Sequence, residues 1–329
     1  MSFFAVLCAL LVEQLKPLPR DNWVYHRLVA WVATVGRNFD AGKAHHVWVV
    51  WGVSVVVPTL LVALLYLGLR HYSAVAAVAF DVAVLYLSLG FRQFSHYFTD
   101  IRDALERGNE VETRRLLAEW LHLDTSELPR TEVLRHVVEH ALLAAHRHVF
   151  GVFFWFIVCS ALGLGPAGAV LYRMAEFVSR YWAYRQRALD APANNRLLEV
   201  SQQVFVSIDQ VPARLTAFGF AVVGNFEEAV SGWRRDAGLW QRPNEGIILA
   251  AAAGAVGVQL GGSAAPGITP DRSKTFGGGV QAGAADAAGS TPGTPLQLSH
   301  LQNVVALVWR SVVLWMLILA LLTLANILG

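Results

Sequence analysis

The sequence predicts an all-α, polytopic integral membrane protein with amphipathic cytoplasmic helices, and three observations carry this prediction. Hydrophobic residues make up 55% of the 329 residues, charged residues make up only 15%, and the mean hydropathy is +0.45. A water-soluble chain usually carries about 25% charged residues, so this chain has too little charge to cover a globule of its size. Long apolar runs alternate with polar stretches whose apolar residues recur at helical spacing. The composition excludes a disordered chain, and a net charge of +2 excludes nucleic-acid binding by bulk charge.

Three apolar runs predict helices that cross the bilayer, because a span needs about 20 apolar residues. The run 47–69 holds no charged residue. The run 74–91 follows after a four-residue turn, which predicts an antiparallel hairpin, and the run 311–328 is the third candidate. The loops before the first run and after the second are rich in lysine and arginine, which predicts that both loops are cytoplasmic.

A fourth apolar stretch, 149–172, is interrupted near its middle by Gly163, Gly165 and Pro166. One interpretation is a single kinked span. The other is a broken or re-entrant helix beside a site, since such breaks are tolerated only where they face protein or water. The segment after this stretch is again basic, and a single crossing would place it outside, whereas a re-entrant hairpin would not.

The polar residues of the segment 131–148 fall on one face of a predicted helix that leads into the interrupted stretch. They are Glu132, Arg135, His136, Glu139, His140, His146 and Arg147. The spacing of His136, Glu139 and His140 fits the H-x-x-E-H zinc pattern, in which Glu139 would be the general base of a zinc peptidase. The alternative is a polar helix face at the membrane surface that contacts lipid or partner phosphates.

Two further polar features lie in or beside the predicted hairpin. Asp81 stands in the middle of the second span, where a carboxylate is costly, so it is paired or functional there, or it lies close enough to the helix end to reach water. Arg92 and His96 lie one helical turn apart at the cytoplasmic end of that span. They bind an anion there, or they anchor the helix at the interface.

The chain divides into a membrane domain over 1–260, a low-complexity flexible linker over 261–299 and a C-terminal transmembrane helix over 300–329. Nine glycines and four prolines within 261–295 predict the linker, since this composition cannot bury a core.

Two segments in the last third of the chain carry a resemblance to a known family. The stretch 209–216 reads DQVPARLT, and 243–262 holds PNEG followed by AGAVGVQLGG. The first is similar to the aspartate followed by "PARLTA" of the CobD/CbiB family, membrane proteins of cobalamin biosynthesis, and the second to that family's "SPN-x-G … AGALGVQLGG" segment. Upstream residues fall where the family has its "GD…AR…GRDT…E" run: Gly108, Arg114, Arg115, Asp124, Thr125 and Glu132. The related protein AmpE shares the early hairpin pattern but lacks the glycine-rich C-terminal segment.

The resemblance implies an inner-membrane, multi-pass enzyme that joins adenosylcobyric acid to an aminopropanol group or its phosphate. It implies a corrinoid substrate, with Mg²⁺ and ATP, at a site on the cytoplasmic side. Glu139 and His140 would be catalytic, although His140 stands where the family has an asparagine and Leu143 where it has an aspartate. The implied substrate-binding residues are Arg92, His96, Asp124, Arg135, Arg147, Asp209, Arg214, Asn244 and Gly246.

Three functions therefore stay open from the sequence. The first is an adenosylcobinamide (phosphate) synthase, and the second is a non-catalytic AmpE-like membrane regulator that lost the chemistry. The third is a membrane zinc peptidase. The expected partners are the lipid bilayer, the corrinoid substrate and other membrane proteins of the cobalamin pathway, with no nucleic acid among them.

Overall fold

The computed structural model describes residues 2–16, 23–39, 44–89, 91–121, 128–188, 195–262 and 290–328, and these residues form helices together with isolated β-bridges. The α-helices of this part of the chain are α1 (Ser2–Leu15), α2 (Trp23–Phe39), α3 (Ala44–Tyr72), α4 (Ala74–Ser88), α5 (Phe91–Glu106), α6 (Glu110–Leu121), α7 (Arg130–Ala145), α8 (Gly151–Ala161), α9 (Ala167–Ala188), α10 (Asn195–Val223), α11 (Phe226–Asp236), α12 (Pro243–Val256) and α13 (Leu298–Leu328). The predicted all-α class is confirmed.

Two helices on the outside of the bundle have the length and composition of membrane spans. They are His46–Tyr72 in α3 and Leu298–Ala325 in α13. Only 28% and 33% of their most apolar windows are buried inside the protein, so most of their leucine, valine and tryptophan side chains are exposed. In water such surfaces would be a large aggregation liability, but in a bilayer they face lipid. These helices contain the predicted spans 47–69 and 311–328.

The predicted span 74–91 is shorter in the structure than in the sequence analysis. α4 ends at Ser88, so it has 15 residues and rises about 22 Å at 1.5 Å per residue. Ser73 caps the N-terminus of α4 by accepting a hydrogen bond from the N–H of Ala76, directly after α3 ends. The antiparallel contact between α3 and α4 follows from this abrupt turn.

The third candidate span among the described residues, Arg130–Ala161, is the central element of the fold. It consists of α7, a π-helical turn over His146–Phe150, and α8. Its most apolar window is 78% buried inside the protein, in contrast to α3 and α13. The charged stripe of α7 therefore faces other helices rather than lipid.

The interrupted stretch 149–172 forms two helices that fold back on each other, rather than one kinked span. α8 ends at Ala161, and α9 begins at Ala167 after a turn in which Gly163 and Gly165 have left-handed φ values of 78° and 57°. A Cβ at Gly168 would lie 1.9 Å from the carbonyl oxygen of Trp155, so the two helices pack backbone to backbone. The chain thus returns along α8, as the broken-helix interpretation expects.

The last part of the described chain packs against the central helix. α10, α11 and α12 contact one another, and α12 also contacts α7. After α12, the described ends of the predicted linker pair back on the chain through bridges from Val258 to Thr294 and from Gly261 to Ser290. Residues 263–289 lie outside the described part of the chain, so the flexible linker and the three-part division remain predictions.

Candidate functional site

The N-terminal part of the polar stripe on α7 forms hydrogen bonds with the backbone of the glycine-rich segment that follows α12. Arg135 Nη1 donates to the carbonyl oxygen of Gly261 at 2.7 Å, and Glu139 Oε1 accepts from the N–H of the same residue at 2.7 Å. Arg135 also pairs with Glu132. Both polar groups of one peptide residue are thus bound by two buried, oppositely charged side chains. We call Arg135, Glu139 and Gly261 the clamp.

The two histidines of the zinc pattern do not converge on a common point with Glu139. Neither ring nitrogen of His136 has a hydrogen-bond partner, and His140 packs edge-to-face against Trp120 with ring centroids 4.4 Å apart. Within the described part of the chain, no three His, Cys, Asp or Glu side chains form a group that could hold a metal ion. The described residues therefore do not favour a zinc peptidase.

The π-helical turn follows the clamp along the central helix and lies between α7 and α8. Here the N–H of Gly151 bonds to the carbonyl oxygen of His146, five residues earlier. Such single π turns occur often at functional sites, because the wider turn changes the direction of the side chains that follow. Arg147, within this turn, faces a cavity.

The cavity has a volume of about 240 Å³ and lies between the π turn, α9, α10 and the N-terminus of α12. Three arginines and three carboxylates are among its lining residues, together with Asn244. They are Arg147, Arg180, Arg242, Glu176, Asp209 and Glu245. Dense, balanced charge inside a largely apolar bundle is costly, so it is typical of a site that binds a polar ligand.

Two of the cavity's carboxylates are neutralised by arginines. Glu245 accepts hydrogen bonds from Arg147 and, at 2.9 Å, from Arg242. Glu176 accepts from Arg180 at 3.2 Å and from Arg173 at 3.1 Å. These ion pairs fix the guanidinium groups around the cavity.

The third carboxylate, Asp209, has a different environment. Its Oδ1 accepts from His146 Nε2 at 2.8 Å and from the Tyr172 hydroxyl at 2.7 Å, and its Oδ2 accepts from Asn244 Nδ2 at 3.2 Å. Among the described residues no arginine hydrogen-bonds to it. His146 Nδ1 lies 2.9 Å from Thr216 Oγ1, so both ring nitrogens are held.

The three carboxylates lie outside the candidate spans, and all three pKa values are lowered. Burial alone would raise the pKa of Glu176 and Glu245, but the neighbouring cations, above all Arg180 and Arg147 respectively, outweigh burial. Burial likewise opposes ionisation of Asp209, and its histidine and tyrosine partners lower its pKa below the ordinary value. All three groups are therefore ionised at neutral pH.

The structure brings some of the sequence-predicted site residues together and separates others. Arg147, Asp209 and Asn244 meet at the cavity. Arg135 and Glu139 form the clamp, and neither they nor His140 are among the described residues that line the cavity.

The remaining predicted residues do not line the cavity, or they lie outside the part of the chain that the structure describes. A Cβ at Gly246 would lie 2.4 Å from the carbonyl oxygen of Ala237, so this glycine allows close packing behind the cavity. Arg214 is exposed and donates to the carbonyl oxygen of Gln210. Asp124 and the side chains of Arg92 and His96 lie outside the described residues, so these three remain predictions.

Sequence reasoning did not assign several residues to the site. Glu176, Arg180, Arg242 and Glu245 line the cavity, and His146 and Tyr172 donate hydrogen bonds to Asp209. The i,i+4 spacing of Glu176 and Arg180 and the i,i+3 spacing of Arg242 and Glu245 are visible in the sequence, but such pairs usually lie on exposed helix faces.

Comparisons with known proteins identify the family of the chain. The model of the CobD/Cbib protein family matches residues 3–288. The chain is 32% identical over 324 residues, 96% of each chain, to the cobalamin biosynthesis protein CobD of Stutzerimonas stutzeri. Proteins of the same name from Chromobacterium violaceum and Geobacter metallireducens are 35% identical over 186 residues and 33% identical over 172 residues, which cover 55% and 50% of those chains and 56% and 50% of this one. No solved structure matches the chain significantly.

Proposed function

The chain belongs to the CobD/Cbib family, and on that premise we propose that it acts in cobalamin biosynthesis by joining adenosylcobyric acid to an aminopropanol group or its phosphate. The observation that carries this proposal is the match over 96% of both chains to a relative named cobalamin biosynthesis protein CobD. The match includes the cavity-lining helices α9, α10 and α12, so it covers the proposed site as well as the spans.

The charges of the cavity support amide formation between two polar substrates. In this reaction class a carboxylate carbon is joined to an amine nitrogen, and the bond to one carboxylate oxygen breaks. ATP, which the resemblance implies as co-substrate, supplies the phosphoryl group that makes this oxygen a leaving group. Arg147, Arg180 and Arg242 are placed to bind the anionic groups and to stabilise the charge that develops on them.

The volume of the cavity indicates which part of the substrates it receives. Pockets for drug-sized ligands measure roughly 300–1,000 Å³, and this cavity measures about 240 Å³. It suits aminopropanol phosphate together with the reacting side chain of the corrinoid, while the macrocycle would stay at the mouth.

The described residues do not fit a divalent cation that is held by the protein alone. Mg²⁺ is bound through carboxylate oxygens and keeps several waters. Glu176 and Glu245 are engaged by arginines, which leaves Asp209 as the one carboxylate among the described cavity residues that no arginine binds. No group of three potential ligands occurs among the described residues. We therefore assign no step to a protein-held metal.

The outer surface supports a membrane location. α3 and α13 carry broad exposed apolar faces, and α8 with α9 forms a returning hairpin inside the bundle. We propose a multi-pass protein of the inner membrane whose cavity is reached from the cytoplasmic side. Other membrane proteins of the cobalamin pathway would be its partners, because its substrate and product are pathway intermediates.

The retained glycine-rich segment distinguishes this proposal from the AmpE-like regulator. AmpE lacks that segment, and here Gly261 is bound on both sides by Arg135 and Glu139. A charged cavity with three fixed guanidinium groups also favours an enzyme or a carrier of polar ligands over a purely structural modulator.

Complementation tests the proposed function. A bacterial strain that lacks its own CobD/CbiB gene is supplied with cobyric acid under cobalamin-dependent conditions, with or without this chain. We expect growth only with the chain, whereas supplied cobinamide should support all strains equally. Growth on cobinamide and with a control family member, but not with this chain, would contradict the proposal.

A further inference from the structure

A buried series of hydrogen bonds connects three helices and the π turn to the cavity. It runs from Thr216 on α10 to His146 in the π turn and then to Asp209 on α10, which also accepts from Tyr172 on α9. The side chains of Thr216, His146 and Tyr172 are almost completely buried, and only Asp209 lines the cavity.

The donors of this series can be assigned from chemistry. Asp209 is ionised and accepts only, so Nε2 of His146 and the hydroxyl of Tyr172 donate to its Oδ1. The other ring nitrogen, Nδ1, lies 2.9 Å from the Thr216 hydroxyl, so the ring is held on both sides. The two donors to Oδ1, one of them held by Thr216, fix the orientation of the carboxylate.

One oxygen of Asp209, which lines the cavity, keeps acceptor capacity. Oδ1 has two donors, whereas Oδ2 has Asn244 as its donor at 3.2 Å. A carboxylate offers about four acceptor positions in total, so Oδ2 can accept a further hydrogen bond. No described arginine hydrogen-bonds to this carboxylate, in contrast to Glu176 and Glu245.

A cation is the ligand that this arrangement fits. The arginines of the cavity attract anions, and two of its carboxylates are already neutralised by them. Asp209 lines the cavity without an arginine bound to it among the described residues, and its Oδ2 has one donor where Oδ1 has two. The ammonium group of an aminopropanol is the cationic part of the proposed substrates.

We propose that Asp209 binds the ammonium group of the aminopropanol substrate through Oδ2, and that His146, Tyr172 and Thr216 are positioning residues that act through Asp209. This inference rests on the proposed function. It assigns the two ends of an aminopropanol phosphate to different parts of the cavity, with the amine at Asp209 and the phosphate at the arginines.

The test compares Thr216→Val and Tyr172→Phe with Thr113→Val in the purified full chain. Thr216→Val and Tyr172→Phe each remove one hydrogen bond of the series and keep the shape of the side chain. Thr113 is an equally buried threonine that bonds to the carbonyl oxygen of Asn109, directly before α6, and does not line the cavity. We expect the KM for aminopropanol phosphate to rise about tenfold in Tyr172→Phe, which loses a hydrogen bond to a charged group, and about threefold in Thr216→Val, which loses a hydrogen bond to His146. The KM for adenosylcobyric acid and for ATP should not change, nor should any value in Thr113→Val.

Thr216→Ser supplies the conservative rescue because it restores the hydroxyl, and we expect its KM to be close to that of the unmodified protein. A merely structural role would alter stability or all three KM values together. Active protein in which Thr216→Val and Tyr172→Phe match Thr113→Val would overturn the inference and leave the proposed function standing. If Thr216→Val does not fold, Tyr172→Phe decides by the same criterion.

A binding measurement separates this inference from the proposed function. Calorimetry of 1-amino-2-propanol phosphate with the unmodified chain needs no turnover. If the chain shows no ligation with all substrates, the proposed function fails, and calorimetry alone then decides the inference. Amine binding that weakens about tenfold in Tyr172→Phe supports it, and absence of binding to the unmodified chain overturns it.

Discussion

The charged stripe on the central helix has an N-terminal half, with Arg135 and Glu139, and a C-terminal half, with His146 and Arg147. The two halves are alike in sequence but have different partners in the structure. In the clamp, Arg135 and Glu139 bind the two polar groups of one backbone residue, Gly261, and neither side chain is among the residues that line the cavity. About two turns later, His146 and Arg147 bind side chains of other helices, and Arg147 lines the cavity.

The difference shows that the partner element decides what a buried charge does. At the clamp, Gly262 leaves room for Arg135, since a Cβ there would lie 2.8 Å from Arg135 Nη1, and Arg135 and Glu139 reach the backbone of Gly261 directly. At the cavity, α9, α10 and α12 present their own arginines and carboxylates, so the charges pair with one another around a space. We therefore expect the first arrangement to stabilise the fold, and we propose that the second binds a ligand.

The largest effect that this comparison predicts is loss of activity on removal of Arg147. Arg147→Met keeps an unbranched, flexible side chain but removes the guanidinium, while Glu245 keeps its hydrogen bond from Arg242. We expect kcat/KM for amide ligation to fall by about 100-fold or more, the usual effect of removing one group that stabilises developing charge. Steady-state kinetics on membranes or detergent-purified protein measure it.

Arg107→Met is the matched control for that variant, because Arg107 is exposed and donates to the carbonyl oxygen of Asp103, one turn earlier in the chain. We expect its kinetics to be unchanged. If the two variants lose activity equally, or if neither does, the cavity is not the site and the distinction between the two halves of the stripe fails.

The architecture could be read from the sequence because lipid and helix geometry leave few alternatives. The run 47–69 and the C-terminal apolar helix are charge-free or nearly so, and their identification as spans needs no tertiary information. The span 74–91 was predicted too long, because a hydropathy pattern does not show that α4 ends at Ser88. For the interrupted stretch the sequence allows two interpretations, because glycines and a proline indicate a break but not the direction of the following helix.

The site could be predicted only in part, because its members come from four separate segments. The resemblance pointed to Asp209 and Asn244, and the polar stripe pointed to Arg147. Tyr172 had no signal, because a tyrosine at the end of an apolar stretch normally packs or lies at the membrane interface. The π turn determines which half of the stripe lines the cavity, and no residue pattern in the sequence predicts that turn.

A smaller effect, on stability rather than on activity, is predicted for Arg135. Arg135→Met removes the donor to the Gly261 carbonyl oxygen and the cation beside Glu139. We expect the free energy of unfolding to fall by about 2 kcal/mol, as for other hydrogen bonds that involve a charged group. Unfolding in mixed detergent micelles measures it, and kcat of the folded protein should stay within about threefold of the unmodified value because the clamp lies away from the cavity.

Arg115→Met serves as the control for Arg135→Met. Arg115 forms ion pairs with Glu112 and Glu119 on the exposed face of α6, where solvent screens them, so we expect no measurable change in stability. A loss of activity in Arg135→Met without a loss of stability would place the clamp within the active site.

The smallest effect is predicted for Glu139→Gln, and it decides between the two roles open to Glu139. The resemblance assigns Glu139 as a catalytic residue, whereas its position indicates that it holds Gly261. A glutamine oxygen can still accept the Gly261 N–H, and its amide occupies the place of the second carboxylate oxygen, which has no hydrogen-bond partner. If Glu139 only holds the clamp, kcat/KM should stay within about threefold, whereas loss of a general base typically costs about 10²–10⁴-fold.

Glu139→Ala completes the comparison, because it leaves the buried N–H of Gly261 without an acceptor and should lower the free energy of unfolding by about 2 kcal/mol. Retained activity in Glu139→Gln together with lower stability in Glu139→Ala is the expected result, and it would restrict the catalytic groups of the stripe to the cavity half.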